Sequence, residues 1–432
     1  MKNPRRDSSF ERVELEEGGE ASCAALSPAA APQNSAQNAA EPFLNPPQAS
    51  ALERFPQNLE SLKAPQTQGE IQSPQIPQNS DSSFIKKSEK GFCDSSLGYH
   101  AYLPYYRSKS FVAPSAPLSA ASGGKILWPA EIKAFDEGES FEAFIQPTLG
   151  KTPSSGLFGD VRNNGYRFHE GIDIKPARRD KKSEPLDDVR AAMRGRVALI
   201  NKVAGNSSYG RYVVLAHENL DVPVYTLYAH LRSIDTLLSP SKIVEAGEKI
   251  GVMGRSASYS IAKECAHLHF EVGLMYGKHF QKWYDSKRYT SKNFFGNYNG
   301  MNLCGMDPLD FFYTAKSGGL NAGLADFIKN QKTAFVVRYY TQKTPDFANM
   351  YPALVDPIGQ KCGWDIYFTW WGLPHKISRI KNPSARAKDG HIEIAEFDGQ
   401  CVRHRCANFV KTDSSGRARP TENLKDILKK MF

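Results

Sequence analysis

The feature that most restricts the fold is a series of short segments rich in Val, Ile, Tyr and Leu between residues 197 and 275. Clusters of glycine and polar residues separate them, such as the run Gly205-Asn206-Ser207. This spacing predicts β-strands joined by turns, and no long helical pattern interrupts the series. We expect the strands at 197–203, 211–217, 222–231, 249–253 and 267–275. The sequence therefore predicts a mainly β fold, with an antiparallel sheet and long loops in one domain over 126–315.

The region before this domain has a different composition. Residues 22–80 are rich in Ala, Pro, Gln, Asn and Ser and contain few aromatic residues. Such a segment cannot bury enough apolar area to offset the entropy lost on ordering the chain. We therefore predict a disordered, low-complexity region over 1–122.

The region after the β domain has its own pattern of elements. Strands are expected at 334–340, 365–371 and 391–397. Thr421 is a suitable N-cap for a closing helix whose apolar stripe comprises Leu424, Ile427, Leu428 and Met431. These elements predict a smaller, basic α+β domain over 333–432, in which no catalytic motif is present. Between the two domains we expect a long loop over 276–304 and a short helix within 320–331.

One motif that carries chemistry is Phe168-His169-Glu170-Gly171-Ile172-Asp173. A histidine and an aspartate stand four positions apart, with a glycine between them. Where the chain turns, both side chains can converge on one point. The pattern is short, however, and chance matches to it are common.

A second motif lies in the predicted strand 267–275. Because side chains alternate between the two faces of a strand, His267, His269 and Glu271 share one face. Leu268 and Phe270 then point into a core. Two imidazoles on one strand face are common in metal sites, but a polar strand face that happens to hold two histidines is an equally simple interpretation.

A third motif, Tyr228-Ala229-His230-Leu231, occurs in the predicted strand 222–231. Alternation predicts that Leu227, Ala229 and Leu231 face the core, while Tyr228 and His230 face the other side. A single histidine on a strand is usually structural. Four histidines and one aspartate on neighbouring β segments are harder to explain by chance.

In this order, the three motifs resemble those of the lysostaphin-type zinc peptidases, also called LytM-like endopeptidases. The resemblance covers roughly residues 150–310. Further matching stretches are Gly156-Leu157-Phe158-Gly159 with Arg162, Val189-Arg190-Ala191, Gly195-Arg196-Val197, Tyr209-Gly210, Ala246 to Gly251, and Asp307-Pro308. So many matches in order make the resemblance specific.

The resemblance implies one Zn²⁺ per chain, bound by His169, Asp173 and His269. Three protein ligands leave a fourth position for water, as in catalytic zinc sites. His230 and His267 would act as catalytic groups, one of them as the base that deprotonates the water. The sequence does not indicate which of the two is the base. The implied reaction is hydrolysis of peptide bonds in the stem peptides or cross-links of peptidoglycan.

The sequence departs from the family pattern in three places. A charged stretch, 178–184, is inserted after the first motif, Arg255-Ser256-Ala257-Ser258 stands where a glycine is usual, and 276–304 is long. We expect all three in loops that wall the substrate groove. A structural role is the default for the remaining histidines, which are His100, His217, His279, His375, His391 and His404.

Charge and cysteine content limit the partners. The formal net charge is +9, and residues 320–432 hold 18 Lys/Arg against 11 Asp/Glu. Although a basic surface favours anionic partners, no compact Lys/Arg run mixed with aromatic residues is present, so nucleic acid is not expected. The seven cysteines form no C-x-x-C pair, which leaves a zinc ribbon unsupported.

Targeting signals are less direct. No apolar run approaches the roughly 20 residues of a membrane span. The basic start, with Lys2, Arg5 and Arg6, is followed by acidic residues and not by the apolar stretch of a secretory signal. The family resemblance nevertheless implies the bacterial cell envelope or periplasm, reached by another route or from a different start. Envelope proteins could bind the N-terminal region or the C-terminal domain.

Two other functions compete with a peptidase. One is a catalytically silent LytM-like factor that binds and activates another wall hydrolase, since such relatives lose zinc ligands. The other is an intracellular carrier domain in which an isolated histidine accepts a phosphoryl group. The presence of Asp173 beside a complete set of histidines favours the enzyme over both.

Overall fold

The computed structural model describes residues 118–119, 124–321, 323–384, 388–399 and 408–432. The predicted disordered region 1–122 therefore lies outside the described residues, apart from Leu118–Ser119. The described chain is mainly antiparallel β-sheet with few helices, which confirms the predicted fold class. None of its helices is long and apolar enough to cross a lipid bilayer.

The first part of the chain forms the sheets around the predicted site. Its strands are β1 (Leu118–Ser119), β2 (Lys125–Ile126), β3 (Gly159–Arg162), β4 (Arg167–His169), β5 (Ile172–Ile174), β6 (Asp188–Arg190), β7 (Gly195–Asn201), β8 (Tyr212–His217), β9 (Val224–Ala229), β10 (Ser233–Ile234), β11 (Ile243–Val244), β12 (Lys249–Val252), β13 (Leu268–Met275) and β14 (Leu303–Met306). Its helices are α1 (Phe141–Phe144), α2 (Phe280–Ser286), α3 (Pro308–Lys316) and α4 (Leu324–Lys329). The five strands predicted within 197–275 are all present, with ends shifted by a few residues.

The largest sheet has the order β11-β7-β8-β9-β13-β14, and β5 also pairs with β13. Its neighbouring strands are antiparallel. β5 pairs with residues 268–270 and β14 with residues 272–275, so the two strands share one edge of β13. A three-stranded sheet, β10-β12-β6, and two two-stranded sheets, β1-β2 and β3-β4, complete this part.

The central strand β9 is buried along its whole length because apolar side chains cover both of its faces. Tyr228 opposes Phe270 in the register, and both rings lie in the main core, 5.3 Å apart. Leu227 and Ala229 lie in a smaller cluster on the opposite face. The predicted orientation is therefore wrong for Leu227, Tyr228 and Ala229, because the apolar residues alternate too weakly to show which face meets the main core. Leu231 lies in the main core, as predicted.

The C-terminal part forms a second sheet, with the order β16-β18-β17-β15-β19, and a separate hairpin, β20-β21. The strands are β15 (Phe335–Tyr340), β16 (Val355–Asp356), β17 (Gln360–Phe368), β18 (Pro374–Ile380), β19 (Ile392–Phe397), β20 (Val410–Thr412) and β21 (Ala418–Pro420). The helices are α5 (Asp346–Met350) and α6 (Glu422–Met431). As predicted, Thr421 caps α6, since its side chain accepts from the Leu424 amide.

The two parts share one continuous hydrophobic core. Trp371 packs edge-to-face on Phe158 at 5.6 Å, and its Nε1 donates to the Gly305 carbonyl at 3.0 Å. Trp370 packs on Phe168 at 5.8 Å. Both tryptophans are buried and hold the C-terminal part against the hairpin β3-β4. The division into domains 126–315 and 333–432 stays a prediction.

Two sequence expectations fail in detail. Residues 276–304 are not one long loop, because Phe280, Trp283 and Tyr284 pack together as the buried face of α2. Strand β18 was not predicted. It begins at Pro374 and contains His375, and neither residue is typical of a buried strand.

Candidate metal centre

Three strands supply the residues predicted as metal ligands. His169 ends β4, Asp173 lies in the middle of β5, and His269 is the second residue of β13. β5 and β13 are antiparallel neighbours whose register places Asp173 directly opposite His269. Because opposed residues share one sheet face, the register alone brings these two side chains together.

The turn between β4 and β5 depends on Gly171. A Cβ atom at this position would lie 2.2 Å from the carbonyl oxygen of Phe270. Only glycine permits such a close approach between the turn and the backbone of β13. This contact explains the glycine inside the His-x-x-x-Asp motif and holds His169 beside Asp173.

Three ligand atoms form a small triangle. His169 Nε2 lies 3.1 Å from His269 Nδ1 and 3.1 Å from Asp173 Oδ1, and His269 Nδ1 lies 3.2 Å from the same oxygen. A tetrahedral zinc with ligand bonds of 2.0–2.1 Å has ligand-to-ligand edges of roughly 3.3 Å. The triangle therefore has the size that a zinc ion requires.

The second nitrogen of each imidazole decides where its lone pair points. His169 Nδ1 lies 2.7 Å from the Leu157 carbonyl, and His269 Nε2 lies 2.9 Å from Glu271 Oε1. The carbonyl and the carboxylate can only accept a hydrogen bond, so His169 Nδ1 and His269 Nε2 each carry a proton. When the rings are neutral, their unprotonated nitrogens face Asp173, and three electron-pair donors meet at one point. This donor set fits a divalent cation with nitrogen and oxygen ligands.

A buried carboxylate, Glu271, orients the His269 ring. Besides the bond from His269, Glu271 accepts hydrogen bonds from Tyr209 at 2.6 Å and Tyr225 at 2.9 Å. The side chain is 1% exposed. The sequence placed Glu271 on the correct strand face but gave no role to it or to Tyr209, because their contact joins positions 62 residues apart.

Arg162 is a further residue whose role the sequence did not reveal. Its guanidinium donates to Asp173 Oδ2 at 2.5 Å and to His169 Nε2 at 3.0 Å. Burial alone would raise the pKa of Asp173, but the charges of His267, His169 and Arg162 outweigh it and hold that pKa well below its usual range. Asp173 therefore stays ionised, with Oδ1 directed at the other ligands.

Electrostatics at His269 show that the site attracts positive charge. Burial disfavours the imidazolium, but hydrogen bonds and charge from Asp173 and Glu271 outweigh burial and raise the pKa of His269 to about 10. A positive charge on the ring or a bound cation satisfies the same two carboxylates. The same carboxylates favour a metal at this point.

The two predicted catalytic histidines border the triangle. His267 Nδ1 lies 2.6 Å from the Cys265 carbonyl, and His230 Nδ1 lies 2.8 Å from the Ser256 carbonyl. In both rings Nδ1 is therefore the protonated nitrogen and Nε2 is the acceptor. His267 Nε2 lies 3.3 Å from Asp173 Oδ1. The rings of His230 and His267 pack edge-to-face, with their centroids 4.7 Å apart.

Both rings are held in the neutral form. Burial lowers the pKa of His230 to about 3, helped by the nearby His267 and His269. Burial also lowers the pKa of His267, against the opposing charge of Asp173. A neutral imidazole with an accepting Nε2 is the form that a general base needs.

His230 reaches the site through an unusual backbone. Strand β9 ends at Ala229, and His230 has φ +60°, in the left-handed region. Strict alternation would turn this ring toward the side of Tyr228, which is the main core. The left-handed residue interrupts the alternation and directs His230 toward His267, a strained arrangement of the kind found at functional sites.

The three ligand residues are buried and lie in the lining of a cavity. Its lining comprises Arg162, Arg167, Phe168, His169, Glu170, Asp173, Ser208, Tyr209, His230, Tyr259, His267 and His269. The lining contains no residue of 178–184, 255–258 or 276–304, all of which the structure describes in full. The expectation that these three segments wall the groove is therefore not met at the cavity itself.

The four other histidines that the structure describes lie away from the centre. His217 and His375 are buried and hydrogen-bonded, which fits their expected structural role. His279 and His391 are exposed and lie 3.7 Å and 3.6 Å from acidic neighbours. His100 and His404 lie outside the described residues.

Sequence comparison assigns part of the chain to a family. Residues 167–281 match the model of peptidase family M23, which confirms the resemblance drawn from the motifs. The matched segment contains all five predicted site residues. A comparison with curated proteins finds no match.

Solved structures with partial similarity include three peptidases. A putative glycyl-glycine endopeptidase lytM from Ruminococcus gnavus has 21% identity and a TM-score of 0.23, over 34% of this chain and 47% of that one. The catalytic domain of the antimicrobial peptidase lysostaphin from Staphylococcus simulans has 19% identity and a TM-score of 0.22, over 36% of this chain and 86% of that one. A zinc containing peptidase from Vibrio cholerae has 25% identity and a TM-score of 0.20, over 32% of this chain and 38% of that one. This chain thus spans about half of the Ruminococcus protein.

Proposed function

We propose that this chain, whose residues 167–281 match the model of peptidase family M23, is a zinc-dependent peptidase that hydrolyses peptide bonds in bacterial peptidoglycan. The substrate bonds would lie in stem peptides or cross-links. The observation that carries the proposal is the triangle of His169 Nε2, Asp173 Oδ1 and His269 Nδ1, with edges of 3.1–3.2 Å. One zinc ion per chain would bind there.

The chemistry of such a site divides between the metal and the protein. Bound zinc would lower the pKa of a water molecule toward ~7 and polarise the scissile carbonyl. His230 and His267 supply the proton acceptors, since Nδ1 of each ring is committed to a backbone carbonyl. Either ring can take the proton from water and return it to the leaving amine, and the ring that holds this proton can donate a hydrogen bond to the developing oxyanion.

Two residues that contact the proposed ligands hold the ligand side chains in place. Glu271 fixes the ring of His269, and Arg162 occupies the second oxygen of Asp173. Both side chains are buried, and the protein makes these contacts by itself. A preorganised centre of this kind loses little free energy to rearrangement during the reaction.

The location and partners follow from the proposed substrate. A peptidoglycan peptidase acts in the cell envelope or periplasm, and we place this chain there. Envelope proteins that bind the N-terminal region or residues 333–432 would bring it to its substrate. A catalytically silent factor that activates another hydrolase is the alternative, and the presence of all three ligands and both catalytic histidines speaks against it.

The test is digestion of purified peptidoglycan by the full chain, with mass spectrometry of the released fragments. We expect fragments that carry newly formed amino and carboxyl termini, their loss with a chelator, and their return on adding zinc. His391→Ala, which removes an exposed histidine outside the site, is the matched control and should behave as the wild type. Cleavage that persists without zinc would refute the mechanism, and zinc-loaded protein that cleaves nothing would favour the silent factor.

A further inference from the structure

We propose that Arg179 and Glu184, in the charged segment of residues 178–184, form a clamp that positions the two proton-accepting histidines, His230 and His267. This inference rests on the proposed function, because it assigns a catalytic purpose to contacts that lie outside the cavity. The charged segment is one of the places where the sequence departs from the family pattern.

The charged segment is itself a closed turn. Asp180 Oδ1 accepts from the amides of Lys182 and Glu184 at 2.8 and 2.9 Å. The Asp180 amide also donates to the Glu184 carbonyl at 2.9 Å. These bonds fix the backbone that carries Arg179 and Glu184, so both side chains project from a defined base.

Arg179 binds the backbone just before His267. Its guanidinium donates to the carbonyls of Lys263 at 2.5 Å, Glu264 at 3.2 Å and Ala266 at 3.3 Å. One planar cation thus satisfies three carbonyls of a single turn, a geometry that lysine cannot reproduce. The turn contains Cys265, whose carbonyl accepts from His267 Nδ1.

Glu184 holds the other part of the same loop. Its carboxylate accepts from Arg255 Nε at 3.1 Å and from Arg255 Nη2 at 2.9 Å, which is a forked ion pair. Arg255 also donates to the Ile261 carbonyl at 2.8 Å. The residue after Arg255 is Ser256, whose carbonyl accepts from His230 Nδ1.

The loop of residues 255–266 therefore carries both carbonyls that fix the catalytic rings. Arg179 holds the end near Cys265, and Glu184 holds the end near Ser256. Each carbonyl sets the tautomer of its histidine and the direction of Nε2. Proton transfer depends on that direction, and a shift of about 1 Å costs up to roughly a hundredfold in rate. None of these contacts involves His169, Asp173 or His269.

A kinetic comparison tests the clamp. In Arg179→Ala we expect kcat on peptidoglycan peptides to fall about tenfold to a hundredfold, with KM and zinc affinity close to the wild type. The matched control is Arg178→Ala, since Arg178 is the neighbouring arginine and is exposed, with an ion pair to Glu131. We expect wild-type kinetics from it. A wild-type kcat in Arg179→Ala would overturn the proposal, as would loss of zinc in the same variant.

A charge exchange separates positioning from general destabilisation. Glu184→Arg and Arg255→Glu should each lower kcat, and the double variant, which restores the ion pair in reverse, should recover part of it, because a glutamate at 255 cannot donate to the Ile261 carbonyl. Failure of the double variant to recover while it remains folded would count against the clamp.

A measurement independent of activity keeps the clamp distinct from the proposed function. Amide hydrogen exchange across 255–267 should be faster in Arg179→Ala than in the wild type and in Arg178→Ala. Unchanged exchange would overturn the clamp even if the protein proves to be a peptidase. If the wild type cleaves nothing while exchange rises as expected, the proposed function fails and the structural clamp stands alone.

Discussion

His169 Nε2 and His269 Nδ1 lie 3.1 Å apart, although 100 residues separate them in the sequence. In each ring the other nitrogen donates its hydrogen to a fixed acceptor, so in the neutral rings the two facing nitrogens present lone pairs. Together with the nearby Asp173 carboxylate they favour a cation at this point. The proposed zinc would be that cation.

Glu271 should control metal affinity. In Glu271→Gln the ring of His269 loses its charged acceptor, and we expect zinc to bind roughly 10- to 100-fold more weakly. The measurement is competition with a chromophoric chelator at constant pH. Glu218→Gln, which alters an exposed partner of Arg196, should bind zinc like the wild type. Equal affinity in both variants would show that Glu271 does not support the ligand.

His230 should matter for turnover and not for metal. The ring lies beside the triangle but supplies none of its three atoms. We expect His230→Ala to keep one zinc per chain while kcat falls by about 10²- to 10⁴-fold, the usual contribution of a general acid or base. Metal analysis and turnover on the same preparation check this. Zinc loss in His230→Ala would make His230 a ligand and change the assignment.

His217 should give the fold a pH-dependent stability. Burial lowers the pKa of His217 from 6.5 to about 4. Because this folded-state pKa lies below the unfolded one, the unfolded chain takes up the proton first as pH falls. The stabilisation that comes from the neutral His217 ring is therefore fully present above pH 6.5 and is lost as the pH falls toward 4.

Between pH 7 and pH 5 the contribution of His217 amounts to roughly 2 kcal/mol of unfolding free energy. Urea unfolding at both pH values, with a chelator present to exclude zinc release, measures it. Between pH 7 and pH 5 the unfolding free energy of His217→Gln should fall by roughly 2 kcal/mol less than that of the wild type. An identical pH dependence in variant and wild type would show that the ring does not stay neutral in the fold.

Trp371 should link the two parts of the chain energetically. Its indole nitrogen donates to the Gly305 carbonyl, and its ring contacts Phe158 in the shared core. Trp371→Phe keeps an aromatic ring but leaves that carbonyl without this donor, which should cost about 1–3 kcal/mol. Denaturant unfolding gives the value. A change well under this range would mean that the contact between the two parts contributes little.

How far the sequence predicts the site depends on whether a residue's position is set locally. Alternation along β13 placed His269 and Glu271 on one face, and the glycine in the first motif signalled a close turn at Gly171. These features depend on neighbours in the chain. The cap at Thr421 was predictable for the same reason.

The rest depends on distant contacts or on an irregular backbone. The bond from Tyr209 to Glu271 and the position of Arg162 arise only when separate strands meet. His230 faces the site because its φ is positive, which no strand pattern signals. The charged segment could be recognised as an insertion, but only the folded chain shows Arg179 on the loop before His267.

The most direct test of the proposal is the zinc content of the purified full chain, measured by elemental analysis together with protein concentration. We predict one zinc per wild-type chain, close to none in His169→Ala, Asp173→Ala or His269→Ala, and one in His267→Ala. A wild-type chain that binds no zinc when zinc is supplied, or variants of the three ligands that retain it fully, would contradict the account.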